Sequence, residues 1–117
     1  MRLAVTFLVV AVVLVLAAAA SADGKLRRCG STSVDVGEGS RYRLVVEVDR
    51  GPTRCRVARR LMRDLYSGKG TQHGDGATGY VAIRGWRCDT GAGAGACIKR
   101  GRRWEGAKDR VTAEARL

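Results

Sequence analysis

Residues 41–66 read RYRLVVEVDRGPTRCRVARRLMRDLY, and this stretch decides the fold class. In its first part, residues 41–50, apolar and polar side chains alternate, which is typical of a strand with one buried and one wet face. A Gly-Pro pair ends that pattern. In its second part, residues 54–66, apolar side chains recur at spacings of three and four, which predicts an amphipathic helix with Thr53 as its N-cap. A strand followed by a helix predicts an α+β domain.

The predicted helix has two distinct faces. Its apolar face carries Val57, Ala58, Leu61, Met62 and Leu65. The opposite face carries a continuous stripe of arginines, which are Arg56, Arg59, Arg60 and Arg63. We expect Val57, Leu61, Met62 and Leu65 to be buried against the apolar side chains of the strands, which are Tyr42, Leu44, Val46, Val48, Val81 and Ile83.

The other predicted elements are short strands and turns. Residues 31–36 alternate like residues 41–50, and a turn at 37–40 joins the two strands into a hairpin. The later predicted strands lie at 79–88, 97–99 and 102–107, the last of which carries Trp104. We therefore predict one domain at 23–107, with a small antiparallel sheet of four or five strands and one helix packed on it. Residues 108–117 are expected to form a charged, frayed tail, or at most a helical one.

The first 22 residues have the features of a signal peptide. Arg2 supplies a positive start, residues 3–20 are almost entirely apolar, and Ala20-Ser21-Ala22 has small residues where signal peptidase needs them. Cleavage there predicts a mature chain that begins at Asp23 and is secreted or associated with the cell envelope, with no stable membrane span. The alternative is an uncleaved anchor, because the apolar run approaches the ~18 residues that can cross a bilayer.

The four cysteines, Cys29, Cys55, Cys88 and Cys97, all follow this segment. An even number of cysteines in an exported chain predicts two disulfides, for which three pairings are possible. We favour Cys29–Cys55, because a hairpin over residues 31–49 brings its ends together. We favour Cys88–Cys97, because the Gly-rich segment between them can fold back. Without a C-x-x-C pair and with a single His, the sequence predicts no metal, no redox motif and no cofactor.

The order of these features resembles one group of proteins. It runs from Cys29-Gly30 through the hairpin to RCRVARR at 54–60, and later to GWRC at 85–88 and Ala96-Cys97. This pattern covers most of residues 28–107 and looks like small secreted four-cysteine proteins of unknown function from high-GC actinobacteria. The use of 18 Arg against four Lys is similar to such genomes as well. The resemblance implies export and a disulfide-braced architecture, and it implies no activity.

Candidate catalytic residues are few. His73 is the only histidine, and it lies with Asp75 in a polar Gly-rich loop, where the carboxylate would orient it as a general base. The sequence has no G-x-S-x-G segment, and it offers no second acid or base marked as a partner for His73. A glycine-alanine run at 91–95 predicts a hairpin connection and not a phosphate loop. We therefore expect a protein that is not an enzyme, with a small hydrolase using His73 as the less favoured alternative.

The positive charge is the feature with the most functional weight. The chain has 22 Lys and Arg against 11 Asp and Glu, for a net charge of +11, and the loss of residues 1–22 removes one arginine and leaves +10. The candidate polyanion-binding residues are the helix stripe and a later basic cluster, namely Arg56, Arg59, Arg60, Arg63, Lys99, Arg100, Arg102 and Arg103. Arginine suits phosphate because its planar guanidinium donates two hydrogen bonds at once. The predicted function is binding, to an anionic envelope polymer or an anionic lipid, with extracellular nucleic acid as a further candidate.

Three alternatives remain open at this level. The arginine stripe is also what a solvated helix face looks like in an arginine-rich sequence. The chain is alternatively an inhibitor or effector module that binds a secreted protein through the loop at 89–96. Trp86 and Trp104 either fill the core or stack on sugars or bases.

Overall fold

The computed structural model describes residues 26–37, 39–91 and 93–116. The element order is β1 (Arg27–Asp35), β2 (Arg41–Arg50), α1 (Cys55–Tyr66), β3 (Thr71–His73), a one-turn 3-10 helix (Gly76–Thr78), β4 (Tyr80–Ile83), β5 (Trp86–Gly91), β6 (Ala94–Lys99) and β7 (Asp109–Arg116). The strands form one antiparallel sheet in the order β1-β2-β7-β6-β5-β4-β3. The signal peptide predicted at 1–22 lies outside the described residues. Among the described helices, none is long and apolar enough to cross a membrane.

The α+β class is confirmed, but the strand count is seven and not four or five. The strand predicted at 79–88 is two strands, β4 and β5, because Arg84 and Gly85 form a tight turn with positive φ angles. The strand predicted at 102–107 is a loop, and the segment predicted as a loop at 89–96 belongs mostly to β5 and β6.

The prediction of a frayed tail at 108–117 is also wrong. Most of that segment is β7, which lies between β2 and β6 in the middle of the sheet. Val111 is fully buried and Ala113 is nearly so. The alternating pattern of β7 is weak in the sequence because alanine, a small residue, occupies half of the positions whose side chains face the core. Hydrogen bonding to a neighbour on each side stabilises the strand instead.

The core lies between α1 and one face of the sheet. Leu44, Val46 and Val48 of β2 are fully buried there, as are Leu61 and Met62 of α1. They belong to one cluster that also includes Trp86 and both cysteines of the second disulfide. Burial of such side chains supplies most of the stabilisation of a small domain.

The helix is rotated slightly from the predicted orientation. Val57 is 44% exposed, so the expectation that it is buried is wrong, and Ala58 is fully buried instead. The inward positions are Ala58, Leu61, Met62 and Leu65, which share one stripe at helical spacing. The helix begins at Cys55 with Arg54 as its N-cap, without a side-chain cap, so the expected Thr53 cap is wrong.

Both favoured disulfides are present. Cys29–Cys55 joins β1 to the first residue of α1, and Cys88–Cys97 joins directly opposed residues of β5 and β6. In the chain-entropy view, each bridge adds about 3 kcal/mol by restricting the unfolded chain. The first bridge also fixes where the helix starts on the sheet.

Candidate functional site

The outward side of α1 carries three exposed arginines around an exposed apolar residue. Arg56, Arg60 and Arg63 line an open groove of about 570 Å³ together with Val57. We call this surface the arginine face. Within the described residues, its arginines make no ion pair and no side-chain hydrogen bond. Their charges are therefore free to meet an external anion.

The one acidic residue of α1 does not neutralise this face. Asp64 is 7% exposed, and its carboxylate accepts a hydrogen bond from Arg84 at 2.7 Å, with the Lys69 ammonium at 3.5 Å. Burial by itself would raise the pKa of Asp64, but the hydrogen bond from Arg84 and the nearby Lys69 outweigh it and lower the pKa below its ordinary value. Asp64 thus holds the helix to the sheet and leaves the arginine face uncompensated.

Two of the predicted polyanion-binding arginines make contacts inside the protein. Arg59 donates a hydrogen bond of 2.8 Å to the carbonyl of Cys29, which ties α1 to β1. Arg100 donates to both oxygens of the buried Asp109, at 2.6 and 3.0 Å. That hydrogen bonding and the charge of Asp109 raise the pKa of the Arg100 guanidinium above its ordinary value. These two arginines are less free to bind an external ligand than the three on the arginine face.

The later basic cluster is split by the structure. Lys99 and Arg100 line a second open groove, of about 420 Å³, which also contains Arg54 and Val57 and so adjoins the arginine face. The Lys99 ammonium lies 5.6 Å from the centroid of the Trp86 ring, which is buried in the core. Two further candidates, Arg102 and Arg103, are exposed in the loop between β6 and β7 and line neither groove.

The face of the sheet opposite α1 bears a separate feature. Trp104, half-buried in the loop between β6 and β7, stands over that face, with the Arg110 guanidinium 5.2 Å from its ring centroid. Beside it lies a groove of about 570 Å³ with the small residues Gly91, Ala94 and Ala96 in its lining. We call it the open-face groove. Its charged lining residues are all acidic, namely Glu47, Asp89 and Glu114.

His73 lies on the same sheet face and stacks on Tyr80, with ring centroids 5.1 Å apart. Arg87 covers Tyr80 from the neighbouring strand, with its guanidinium carbon 3.9 Å from the ring centroid. In the described part of the chain, the His73 side chain makes no hydrogen bond with Asp75 or another carboxylate. The described residues also contain no group of three or more His, Cys, Asp or Glu placed to hold a metal ion.

The chain matches no protein-family model, no curated protein and no solved structure. The resemblance to actinobacterial four-cysteine proteins stays a prediction. The evidence for function is therefore the geometry of the two faces.

Sequence reasoning missed several residues at these surfaces. Arg54 adjoins the arginine face through the second groove, and Tyr80, Arg87 and Asp89 line the sheet face around Trp104. The period-two alternation of β4 and β5 does place these three side chains opposite the core. The alternation does not show which strands are neighbours in the sheet. It therefore could not predict that Tyr80, Arg87 and Asp89 lie close to Trp104.

Proposed function

We propose that this protein is an exported, non-enzymatic module that binds an extended polyanion through its arginine face. The observation that carries the proposal is a set of three exposed arginines, without an ion-pair partner among the described residues, on one side of a helix that is fixed by a disulfide. The net charge of +10 that remains after the predicted loss of residues 1–22 supports it, since long-range attraction speeds the encounter with an anionic polymer. The two disulfides and the sequence of residues 1–22 support a location outside the cytoplasm.

The spacing of the arginines favours a polymer over a single phosphate. A helical rise of 1.5 Å per residue separates Arg56 from Arg60 by about 6 Å along the axis and Arg60 from Arg63 by about 4.5 Å. The result is a row of guanidinium groups about 10 Å long. A repeating phosphate chain would contact all three, whereas an isolated phosphate would contact one or two.

The test uses inorganic polyphosphate as the probe, with binding measured by calorimetry at 50 and 300 mM NaCl. We expect the triple variant Arg56→Gln, Arg60→Gln, Arg63→Gln to bind at least ~10-fold more weakly than the unmodified protein. We also expect its salt dependence to be shallower, by about two in the slope of log K against log salt.

The matched control is Arg43→Gln, Arg102→Gln, Arg103→Gln, which removes the same charge from exposed arginines away from α1. The affinity of this control variant for polyphosphate should fall by no more than about threefold. Equal losses in the two triple variants would show that net charge alone attracts the polymer. Binding that is insensitive to salt would also contradict the proposal.

A further inference from the structure

The open-face groove has a simple construction that the strand register explains. Asp89 pairs with Ala96, and Ala96 pairs with Thr112. Thr112 in turn pairs with Glu47, so these residues form one row across β5, β6, β7 and β2. Three strand spacings of about 4.8 Å put the ends of this row about 14 Å apart. The middle of the row is concave because its side chains are small, whereas longer acidic side chains stand at its ends.

The groove continues past Trp104 into a second part of about 280 Å³. The two parts share Asp89 and Trp104, and the second part adds Tyr80. Because Val81 pairs with Cys88, the antiparallel register brings Tyr80 into line with Asp89. The two parts therefore form one depression that runs across the strands of the sheet.

The acidic residues in the first part of the depression have arginines beside them. The Glu47 carboxylate lies 3.9 Å from the Arg28 guanidinium, and the Glu114 carboxylate lies 3.5 Å from the Arg116 guanidinium. Each pair is neutral as a whole, so this part of the depression has no strong preference for a cation. Neither contact is a hydrogen bond, and the carboxylate oxygens therefore still have lone pairs to offer.

The second part of the depression also contains one charge of each sign. Arg87 and Asp89 lie two residues apart on the same face of β5. The Arg87 guanidinium lies over the Tyr80 ring, 3.9 Å from its centroid, and a stacked guanidinium keeps the N–H groups at its edge available. A donor and an acceptor thus stand side by side. The balance of charge in both parts favours a ligand without net charge.

The hydrogen-bonding groups of the depression narrow the class of that ligand. Among the described residues, no side chain donates a hydrogen bond to the carboxylates of Glu47, Asp89 or Glu114. An ionised carboxylate accepts about four hydrogen bonds, so the ligand has to supply donors. The strands beneath, β6 and β7, are paired on both sides, and a peptide finds no open strand edge there. Hydroxyl groups supply donors for the carboxylates and an acceptor for Arg87.

Trp104 provides an aromatic surface beside these polar groups. It lines both parts of the depression, next to the small residues Gly91, Ala94 and Ala96. The face of an aromatic ring is negative, and the C–H groups on the face of a sugar ring are slightly positive, so the two rings stack. Sites for small ligands combine such apolar surface with a few polar groups. The phosphates of a nucleic acid would instead meet three carboxylates.

We propose that this depression binds a short, uncharged, β-1,4-linked oligosaccharide. Its hydroxyl groups donate to the carboxylates of Asp89, Glu47 and Glu114, and one of its rings stacks on Trp104. The β-1,4 linkage keeps a sugar chain extended, which matches a depression that runs across the sheet. The row of about 14 Å is longer than one sugar ring, so at least two rings are needed to contact both of its ends.

The test is titration of the full protein with cellotriose and with triacetylchitotriose, which share the β-1,4 backbone, followed by NMR spectra. We expect at least one of them to shift the amide signals of Ala94, Ala96 and Thr112 and the indole N–H signal of Trp104. The indole signal of Trp86, which is buried on the other side of the sheet, should not move. The trisaccharide should bind at least ~5-fold more tightly than its monosaccharide, because it makes more of the hydrogen bonds.

Two variants separate stacking from hydrogen bonding. Trp104→Leu removes the ring and keeps an apolar side chain, and it should weaken binding of the trisaccharide at least ~10-fold. Asp89→Ala should weaken binding at least ~3-fold through the loss of an acceptor. Asp75→Ala is the matched control, because Asp75 is exposed and lines neither part of the depression, and it should leave the affinity unchanged. The spectrum of each variant also reports whether it is folded.

Four outcomes would overturn the proposal. These are an absence of shifts with ~20 mM of either trisaccharide, shifts confined to α1, equal affinity for the trisaccharide and its monosaccharide, and tighter binding of tetralysine to the same residues. Loss of polyphosphate binding in the arginine-face triple variant bears only on the proposed function. That variant leaves the depression intact, because the arginine face lies on the opposite side of the sheet.

Discussion

Gly51 and Gly37 adopt the same left-handed backbone conformation, with φ of 97°, in very different surroundings. A Cβ at Gly51 would collide with the side chain of Asp109 and lie 2.9 Å from the carbonyl of Lys108, whereas a Cβ at Gly37 would meet nothing within 4 Å. Left-handed backbone costs a residue with a Cβ about 1–2 kcal/mol. We expect Gly37→Ala to lose about that much stability and Gly51→Ala to lose about 1–3 kcal/mol more, because of the added steric overlap.

Urea unfolding with the disulfides intact measures both variants of this pair. Equal losses of stability in the two variants would mean that the Asp109 side chain moves away from the added Cβ without lowering the stability further.

Arg100 and Arg102 are two residues apart in sequence, and the structure places them in different surroundings. Arg100→Gln removes both hydrogen bonds to the buried carboxylate of Asp109, and we expect it to lower the melting temperature by about 5 °C or more. Arg102 is exposed, and Arg102→Gln should change the melting temperature by about 1 °C or less. Calorimetry of both variants makes the comparison, and similar melting temperatures would contradict a structural role for Arg100.

Asp64 links stability to pH. Its pKa is lower in the folded protein than its ordinary value of 3.8, so its ionised form favours folding. This contribution is present above about pH 4 and is lost as the pH falls through the lowered pKa of the folded state. We expect the free energy of unfolding to fall between pH 5 and about pH 2, and to fall less in Asp64→Asn. An identical pH dependence in the two proteins, measured by urea unfolding, would place the acid-sensitive group elsewhere.

At the scale of elements, α1 determines the sheet topology. The chain leaves β2, crosses one face of the sheet as α1, and re-enters at β3 on the far edge. The strands from β3 to β7 then return step by step toward β2. Because of this crossover, β7 lies beside β2, and residues 109–116 form an interior strand of the sheet.

This topology predicts the pattern of amide exchange. β7 is hydrogen-bonded on both sides, whereas β3 is a three-residue edge strand with all side chains exposed. We expect the hydrogen-bonded amides of β7 to exchange with solvent at least ~100-fold more slowly than those of β3. Hydrogen exchange followed by NMR gives both sets in one experiment. Rapid exchange throughout β7 would restore the expectation of a frayed tail.

At the scale of the whole molecule, positive charge predominates. Among the described residues, the three arginines of the arginine face have no ion-pair partner, whereas Glu47 and Glu114 of the open-face groove are paired with Arg28 and Arg116. A net charge of +11 opposes compaction through self-repulsion, which salt screens. We expect the melting temperature to rise between 10 and 300 mM NaCl, and to rise less in the arginine-face triple variant, whose net charge is lower by three. A melting temperature that falls with salt would show that internal ion pairs outweigh the repulsion.

The sequence by itself determined the α+β class, the strand at β2 and the helix, and it favoured, among three possible pairings, the two disulfides that the structure contains. Each of these depends on local periodicity or on the small number of ways in which four cysteines can pair. The strong alternation of apolar and polar residues in β2 and the helical spacing of apolar residues in α1 are each compatible with few other secondary structures. The same spacing placed four arginines opposite the apolar stripe. Only the structure separates Arg59, which donates to the carbonyl of Cys29, from the three arginines of the arginine face.

Only the tertiary structure decided that residues 109–116 form an interior strand, that Val57 is exposed and which residues line the open-face groove. β7 contains alanines and charges, so its conformation depends on pairing with β2 and β6 and not on its own propensity. Val57 lies just outside the stripe of α1 residues that face the sheet. How α1 packs on the sheet determines whether a residue at the edge of that stripe is buried or exposed. The groove combines residues from four strands and one loop, and their contact depends on a strand order that no local pattern encodes.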